Sequence, residues 1–110
     1  MITREEITDF GKCWYINDEN ESFRFALYTY DDDRSVVYLS NVYVDERHRG
    51  KGLGNLIIDM AVDISKNMGF SCIMLKVVHR GFVHDWYERK GFSDFQIDPE
   101  DGLIWMKMDF

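Results

Sequence analysis

Residues 44–55 read Val-Asp-Glu-Arg-His-Arg-Gly-Lys-Gly-Leu-Gly-Asn, and they form the most informative motif of the sequence. Glycine occupies the alternate positions 50, 52 and 54, where the absence of a β-carbon lets the backbone approach a ligand closely. The stretch leads straight into a helical pattern, so the free N–H groups and the dipole of the helix start favour an anion there. Arg49 and Lys51 add positive charge beside it. Together these features predict a cradle for a diphosphate.

The pattern on either side of this loop predicts two helices within a set of strands. The helices cover residues 53–68 and 82–90, and Gly69 and Gly91 suit the left-handed residue that follows a helix end. Runs rich in β-branched and aromatic residues predict strands at 12–16, 23–30, 36–44, 72–78, 92–97 and 103–108. The order is β-β-β-α-β-α-β-β. A strand, helix and strand in series predict a parallel pair joined by a right-handed crossover. The outer hairpins extend that pair into a mixed, mostly antiparallel α/β (α+β) sheet with flanking helices.

Length and composition predict one packed domain over residues 1–110, with 45% hydrophobic and 15% aromatic residues. No apolar run approaches the roughly 20 residues that a membrane span needs, and the N-terminus lacks the apolar core of a signal peptide. We therefore expect a soluble, cytoplasmic protein with no membrane partner.

Cys13 and Cys72 lie in apolar stretches without CxxC spacing, which predicts reduced core thiols and no metal site. The net charge of −7 argues against nucleic acid and suits an amine, although acidity also serves solubility.

Spacing separates the families that use glycine cradles. A dinucleotide-binding loop needs a third glycine where Asn55 stands, and an NTPase phosphate loop needs Ser or Thr where Gly52 follows Lys51. The pattern that remains, Arg-x-x-Gly-x-Gly, is satisfied by Arg49, Gly52 and Gly54. It resembles the pyrophosphate-binding motif of the GNAT superfamily of N-acetyltransferases. Tyr87-Glu88-Arg89-Lys90-Gly91-Phe92 resembles the second signature of that family, Tyr-x-x-x-Gly-Phe, and the resemblance runs from about residue 36 to the C-terminus.

The resemblance implies an acetyl-CoA site between two central parallel strands that splay apart, here 36–44 and 72–78. Main-chain groups of Val42, Tyr43 and Val44 are then expected to pair with the pantetheine arm. The diphosphate is expected on Arg49, Gly50, Lys51, Gly52, Leu53, Gly54 and Asn55. Tyr87 matches the family tyrosine near the sulfur, where its phenol can protonate the departing thiolate of CoA; packing is its alternative role. An amine would attack the thioester directly in a ternary complex, and acetyl-CoA would be the acetyl donor.

The sequence leaves the general base open. Members of the family often use a glutamate on a central strand, or ordered waters, whereas the inward positions here are Tyr38, Ser40, Asn41 and Lys76. His79 and His84 are candidates by pKa and location, with a surface or capping role as the alternative for both. Arg80 stands where many members carry an asparagine that contacts the pantetheine, which puts cofactor contacts from that segment in doubt; Arg80 itself could reach a phosphate.

The chain also lacks room for the one or two helices that usually cover the family's acceptor site, because only residues 1–11 could supply them. We therefore expect an open acceptor groove, suited to a protein lysine or N-terminus better than to a small enclosed metabolite. A homodimer could equally provide the missing wall. Two alternative functions stay open: a non-catalytic binding protein with this fold that masks a basic partner, and an enzyme that transfers another acyl group.

Overall fold

The computed structural model describes residues 4–30, 33–78 and 80–110, which form seven strands, two α-helices and a 3-10 turn at Glu46–His48. The strands are β1 (Arg4–Ile7), β2 (Gly11–Asn17), β3 (Phe23–Tyr30), β4 (Asp33–Val44), β5 (Cys72–Val77), β6 (Ser93–Ile97) and β7 (Ile104–Asp109). The helices are α1 (Leu53–Asn67) and α2 (Phe82–Arg89). All six predicted strands and both predicted helices are present, with ends that shift by up to three residues.

The seven strands form one sheet in the order β1-β2-β3-β4-β5-β7-β6. Neighbouring strands are antiparallel except for β4 and β5, which are parallel and joined through α1. This arrangement confirms the predicted mixed, mostly antiparallel sheet with a central parallel pair. It also places the glycine-rich loop directly after the central strand β4.

One face of the sheet carries the hydrophobic core. Side chains alternate between faces along a strand, and the buried members on this face include Trp14, Ile16, Phe25, Leu27, Val37, Leu39, Ile73, Leu75, Ile104 and Met106. Helix α1 buries Ile57, Ile58 and Ala61 in the same cluster. Trp86 and Tyr87 of α2 pack against that cluster as well. Both helices therefore lie on one face, and no helix of the described residues covers the other.

The N-terminal segment departs from expectation. Residues 1–11 were the only ones that could supply a covering helix, but Arg4–Ile7 forms strand β1, paired with β2 at the edge of the sheet. The side chains of all four residues are exposed and three are charged, so no alternation of apolar and polar residues marks the strand. Contacts with the next strand hold it in place, including a 2.8 Å hydrogen bond from Trp14 Nε1 to Glu5 Oε2. Neither α1 nor α2 is long and apolar enough to cross a membrane.

Candidate functional site

The two central strands separate, as expected, after a short parallel stretch. Their register joins Val36, Val37 and Tyr38 to Cys72, Ile73 and Met74. Beyond these pairs β4 continues to Val44 and β5 to Val77. Asn41 has a φ of 54° and lies where the register between β3 and β4 shifts, which is the signature of a β-bulge that bends the end of β4. Among the described residues, the β5-facing edge of Val42, Tyr43 and Val44 thus has no strand partner.

The loop after β4 forms an open cradle at the start of α1. Gly50 and Gly52 have φ values of 77° and 81°, a region that favours glycine. A β-carbon built on either would meet no atom within 4 Å, so the space beside the backbone is open. Gly52 is the N-cap of α1 and provides no side-chain hydrogen bond to the first turn. The N–H groups of Leu53, Gly54 and Asn55, which have no partner within the helix, are therefore available to an anion.

The cations of this loop are in different electrostatic states. Arg47 pairs with Asp45 through Nε–Oδ1 and Nη2–Oδ2 distances of 3.1 and 3.3 Å. These hydrogen bonds are the main cause that lowers the pKa of Asp45 to about 2. Arg49 Nε instead donates to the carbonyl of Val44 at 3.1 Å, which holds its guanidinium against the end of β4. Within residues 4–30, 33–78 and 80–110, neither Arg49 nor Lys51 pairs with a carboxylate, so both charges remain available to a ligand.

His48 belongs to the same loop and was not weighed from the sequence. Its Nδ1 atom is buried and has no hydrogen-bond partner among the described residues. The nearest carboxylate atom, Oδ1 of Asp45, lies 3.9 Å away. A buried polar atom without a partner is unusual.

Tyr87 is held in α2 by aromatic packing. Its ring centroid lies 5.0 Å from that of Trp86 and 5.6 Å from that of Phe92. Burial raises the pKa of Tyr87, so the phenol keeps its proton at neutral pH. The Trp86 indole also packs at the start of α1, since a β-carbon on Gly54 would lie 3.6 Å from its Cζ2 atom. Trp86, which sequence reasoning did not assign, therefore connects the glycine cradle with the tyrosine.

The histidine candidates fare differently. His79 lies outside the described residues. His84 is buried, and both ring nitrogens face carboxylates: Nε2 lies 2.6 Å from Asp94 Oδ1, and Nδ1 lies 3.2 Å from Asp85 Oδ1. Its pKa is raised, first by the Asp94 hydrogen bond and then by that of Asp85. Because these contacts favour the protonated ring, His84 is poorly suited to accept a proton from an amine near neutral pH.

Arg80 and Lys76, the other side chains considered near the reaction, also form ion pairs. Arg80 Nη2 lies 3.0 Å from Asp94 Oδ2, which joins it to β6. Lys76 Nζ lies 2.9 Å from Asp98 and 2.7 Å from Asp101. One group among the described residues has metal-ligand chemistry: His84, Asp85 and Glu88, whose donor atoms lie within 4.8 Å of one another. Its two carboxylates are exposed, and its contacts are those of ion pairs to a protonated histidine.

The fold and the site together define a protein with an open glycine cradle at the parted ends of two parallel strands. A family model for the acetyltransferase (GNAT) family matches residues 2–92. The chain therefore belongs to the GNAT acetyltransferase family, which confirms the resemblance inferred from the two motifs. No curated protein sequence matches the chain.

Solved structures share the fold at low sequence identity. A GNAT family acetyltransferase from Elizabethkingia anophelis with acetyl-CoA bound is 18% identical with a TM-score of 0.73, over 91% of this chain and 76% of that one. An acetyltransferase from Streptococcus agalactiae is 19% identical with a TM-score of 0.70, over 91% and 67%. The PaiA N-acetyltransferase from Thermoplasma acidophilum in complex with coenzyme A is 19% identical with a TM-score of 0.70, over 91% and 58%. Acetyl-CoA as the acetyl donor is consistent with the family and with these neighbours.

Proposed function

We propose that the protein transfers the acetyl group of acetyl-CoA to a primary amine by direct attack in a ternary complex. The observation that carries this proposal is the parting of β4 and β5 after Tyr38 and Met74, immediately beside the open glycine cradle. The uncapped N–H groups at the start of α1, together with Arg49 and Lys51, fit a diphosphate. The β5-facing edge of Val42, Tyr43 and Val44, which has no strand partner among the described residues, fits the amide groups of a pantetheine arm.

Bound acetyl-CoA supplies a thioester whose carbonyl carbon an amine can attack. The chain's own residues then have three tasks: to orient the thioester, to keep a proton ready for the leaving sulfur, and to admit the amine. Tyr87 suits the second task, because its raised pKa keeps the phenolic proton until the thiolate departs. The C–N bond replaces the C–S bond, the departing sulfur takes the proton from Tyr87, and the phenolate regains a proton from solvent.

The attacking amine has to lose a proton, which for a lysine at neutral pH costs on the order of 4 kcal/mol. His84 is held by carboxylates, and His48, the histidine with an unpaired ring nitrogen, belongs to the cradle loop. We therefore assign the proton to solvent. The sheet face opposite the helices gives the amine its approach. That face is open among the described residues, and this suits a lysine side chain or an N-terminus of another protein.

Calorimetric titration with acetyl-CoA, CoA and NADH tests the proposal on the wild type and on Gly52→Glu. We expect micromolar binding of acetyl-CoA and no binding of NADH. We expect Gly52→Glu to weaken acetyl-CoA binding by at least about 100-fold, because a carboxylate would fill the cradle and repel the diphosphate.

Gly69→Glu is the matched control, because Gly69 also has a positive φ, 88°, and open space around it, but follows the other end of α1. Its acetyl-CoA affinity is expected to stay within about twofold of the wild type. A folded wild-type protein that does not bind acetyl-CoA would contradict the proposal and favour a binding protein that masks a basic partner.

A further inference from the structure

A cavity of about 380 Å³ lies beside the β4 bulge, on the side of β4 away from β5. Its lining includes Tyr15 and Asn17 of β2, Arg24 of β3, and Asn41 and Tyr43 of β4. The first three alternate along their strands with core residues, so their side chains lie on the sheet face that the described helices leave uncovered. Tyr43 is the register partner of Arg24 and shares that face. The cavity is therefore separate from the glycine cradle.

Two guanidinium groups lie over tyrosine rings at this cavity. The Cζ atom of Arg24 lies 4.6 Å from the ring centroid of Tyr43, and that of Arg4 lies 4.2 Å from the ring centroid of Tyr15. Arg4 is paired with Glu6 at 3.6 Å. Among the described residues the side chain of Arg24 forms no ion pair and no hydrogen bond. In a chain of net charge −7, an uncompensated guanidinium in the wall of a cavity is a binding group for an anion.

The chemistry of the wall favours a carboxylate. A guanidinium presents parallel N–H donors whose spacing matches two carboxylate oxygens. The ring of Tyr43 limits the positions that the guanidinium can adopt, which reduces the entropy lost when a ligand binds. The exposed carboxamide of Asn41 adds a further donor on the opposite strand.

The cavity also adjoins the place where acetyl transfer would occur. Asn41 and Tyr43 lie in the part of β4 that continues past the last pair with β5. The unpaired edge of Val42, Tyr43 and Val44 faces the opening between the strands. The cavity and that opening are therefore separated by about the width of one strand, roughly 5 Å. A ligand whose carboxylate binds Arg24 can therefore place its amine, a few bonds from that carboxylate, near the thioester.

We propose that this cavity binds a carboxylate of the acceptor, so that the acceptor is a primary amine with a carboxylate nearby. The inference rests on the proposed acetyl transfer and narrows its substrate class. The cavity volume is at the lower end for ligand sites, which suits a single amino acid or one acidic residue of a peptide. Both ligands present a carboxylate to Arg24, and the two arms of the experiment distinguish them.

The experiment compares acids with their neutral counterparts as acceptors, at saturating acetyl-CoA. One arm uses free L-amino acids and their carboxamides; the other uses short peptides in which Lys-Asp is replaced by Lys-Asn. We expect kcat/KM to be at least about tenfold higher for the acid in one arm. Preference in the first arm identifies a free amino acid, and preference in the second identifies an acidic peptide. Equal rates for acids and neutral counterparts in both arms would overturn the inference.

Arg24→Gln provides the residue-level test. It is expected to raise KM for the preferred acid by about tenfold, with kcat and the kinetics of the neutral counterpart nearly unchanged. Arg24→Lys is expected to restore part of the loss. Lys12→Gln is the control, because Lys12 is exposed on β2 opposite Thr29, three pairs from Tyr15 and Ala26. An equal loss in Lys12→Gln would show a general effect of charge and overturn the assignment to Arg24.

Two further titrations distinguish a failure of the carboxylate site from a failure of the proposed acetyl transfer. Acetyl-CoA titration of Arg24→Gln is expected to match the wild type, because the cavity lies outside the cradle. Direct titration of the wild type and Arg24→Gln with the preferred acid reports on the cavity without any transfer. A wild type that does not bind acetyl-CoA would contradict the proposed function. Normal acetyl-CoA binding, with acid affinity that does not depend on Arg24, would overturn only the carboxylate site.

Discussion

The Nε2 atom of His84 lies 2.6 Å from Oδ1 of Asp94, and this contact joins helix α2 to the edge strand β6. Asp94 also accepts a hydrogen bond from Arg80 at 3.0 Å, just before the first residue of α2. One carboxylate thus holds the beginning of the helix that carries Tyr87. Because this contact raises the pKa of His84 above its ordinary value, the attachment of α2 is expected to depend on pH.

The pH dependence of stability follows from the sign of the pKa shift. The pKa of His84 in the folded protein is raised above 6.5, so its contribution is complete below that pH and is lost as pH rises through the folded value. The pKa of Asp94 is lowered from 3.8, so its contribution is lost only in acid, below that pH. We expect the free energy of unfolding of the wild type to fall above about pH 6.5 relative to His84→Gln.

Urea unfolding of the wild type and His84→Gln between pH 6 and pH 9 measures this difference. Asp94→Asn, which leaves the histidine in place, is expected to remove most of the dependence. A wild-type stability advantage that stays constant or grows toward pH 9 would contradict the expected ion pair.

Tyr87→Phe tests the proton donor separately from the packing. The ring is retained, so its contacts with Trp86 and Phe92 remain and acetyl-CoA affinity should change little. We expect kcat to fall by about 10²- to 10⁴-fold, because the thiolate would leave without a positioned acid. Since burial raises the pKa of Tyr87, the wild type should show no alkaline loss of activity from this group below about pH 10.

Tyr28→Phe is the control for Tyr87→Phe. Tyr28 is also a partly buried tyrosine, with its pKa raised to about 12 chiefly by burial. Its ring lies 5.2 Å from that of Tyr38 on the opposite face of the sheet. The kcat of this variant should stay within about twofold of the wild type. Unchanged turnover in Tyr87→Phe would assign Tyr87 to packing alone.

Phe25→Ala tests the core on which the site rests. Phe25 is 1% exposed on β3, and its removal leaves a cavity beneath the bulged strand. We expect the free energy of unfolding to fall by about 3–5 kcal/mol. Phe95→Ala on β6, where the side chain is 50% exposed, should cost less than about 1 kcal/mol. Similar losses in the two variants, measured by urea unfolding, would contradict the described core.

Local sequence signals predicted the helices well. Gly50 and Gly52 adopt a positive φ beside open space, as a glycine-rich loop allows, and both helices end within one residue of their predicted ends. The parallel central pair followed from chain order and crossover handedness. These features depend on neighbours in sequence, which is why motif and periodicity arguments reached them.

Local sequence signals did not predict the contacts between residues that are separated in sequence. Strand β1 has four exposed residues, and its pairing with β2 depends on contacts such as that from Trp14 to Glu5. His84 meets Asp94 across ten positions of sequence, and this contact decides whether the imidazole can act as a base. The cavity at Arg24 likewise needs three strands in register. Such ion pairs and cavities follow from tertiary packing, and no local pattern marks them.

Arg49 and Arg47 stand two positions apart in the cradle loop, but only the loss of the Arg49 charge is expected to weaken acetyl-CoA binding. The Arg49 guanidinium is anchored on the Val44 carbonyl and pairs with no carboxylate among the described residues. Arg49→Gln should therefore weaken acetyl-CoA binding about tenfold, and less at high salt, where screening already reduces the attraction. Arg47 is neutralised by Asp45, so removing this pair as a unit leaves the local charge unchanged.

The double variant Asp45→Asn/Arg47→Gln is thus the control, and its asparagine can still accept the hydrogen bond that Asp45 Oδ1 takes from the Arg47 N–H at 2.9 Å. Its acetyl-CoA affinity should stay within about twofold of the wild type. Calorimetric titration at low and high salt measures both variants. If the double variant lost as much affinity as Arg49→Gln, the loop would act through its conformation, and the diphosphate would not depend on the Arg49 charge.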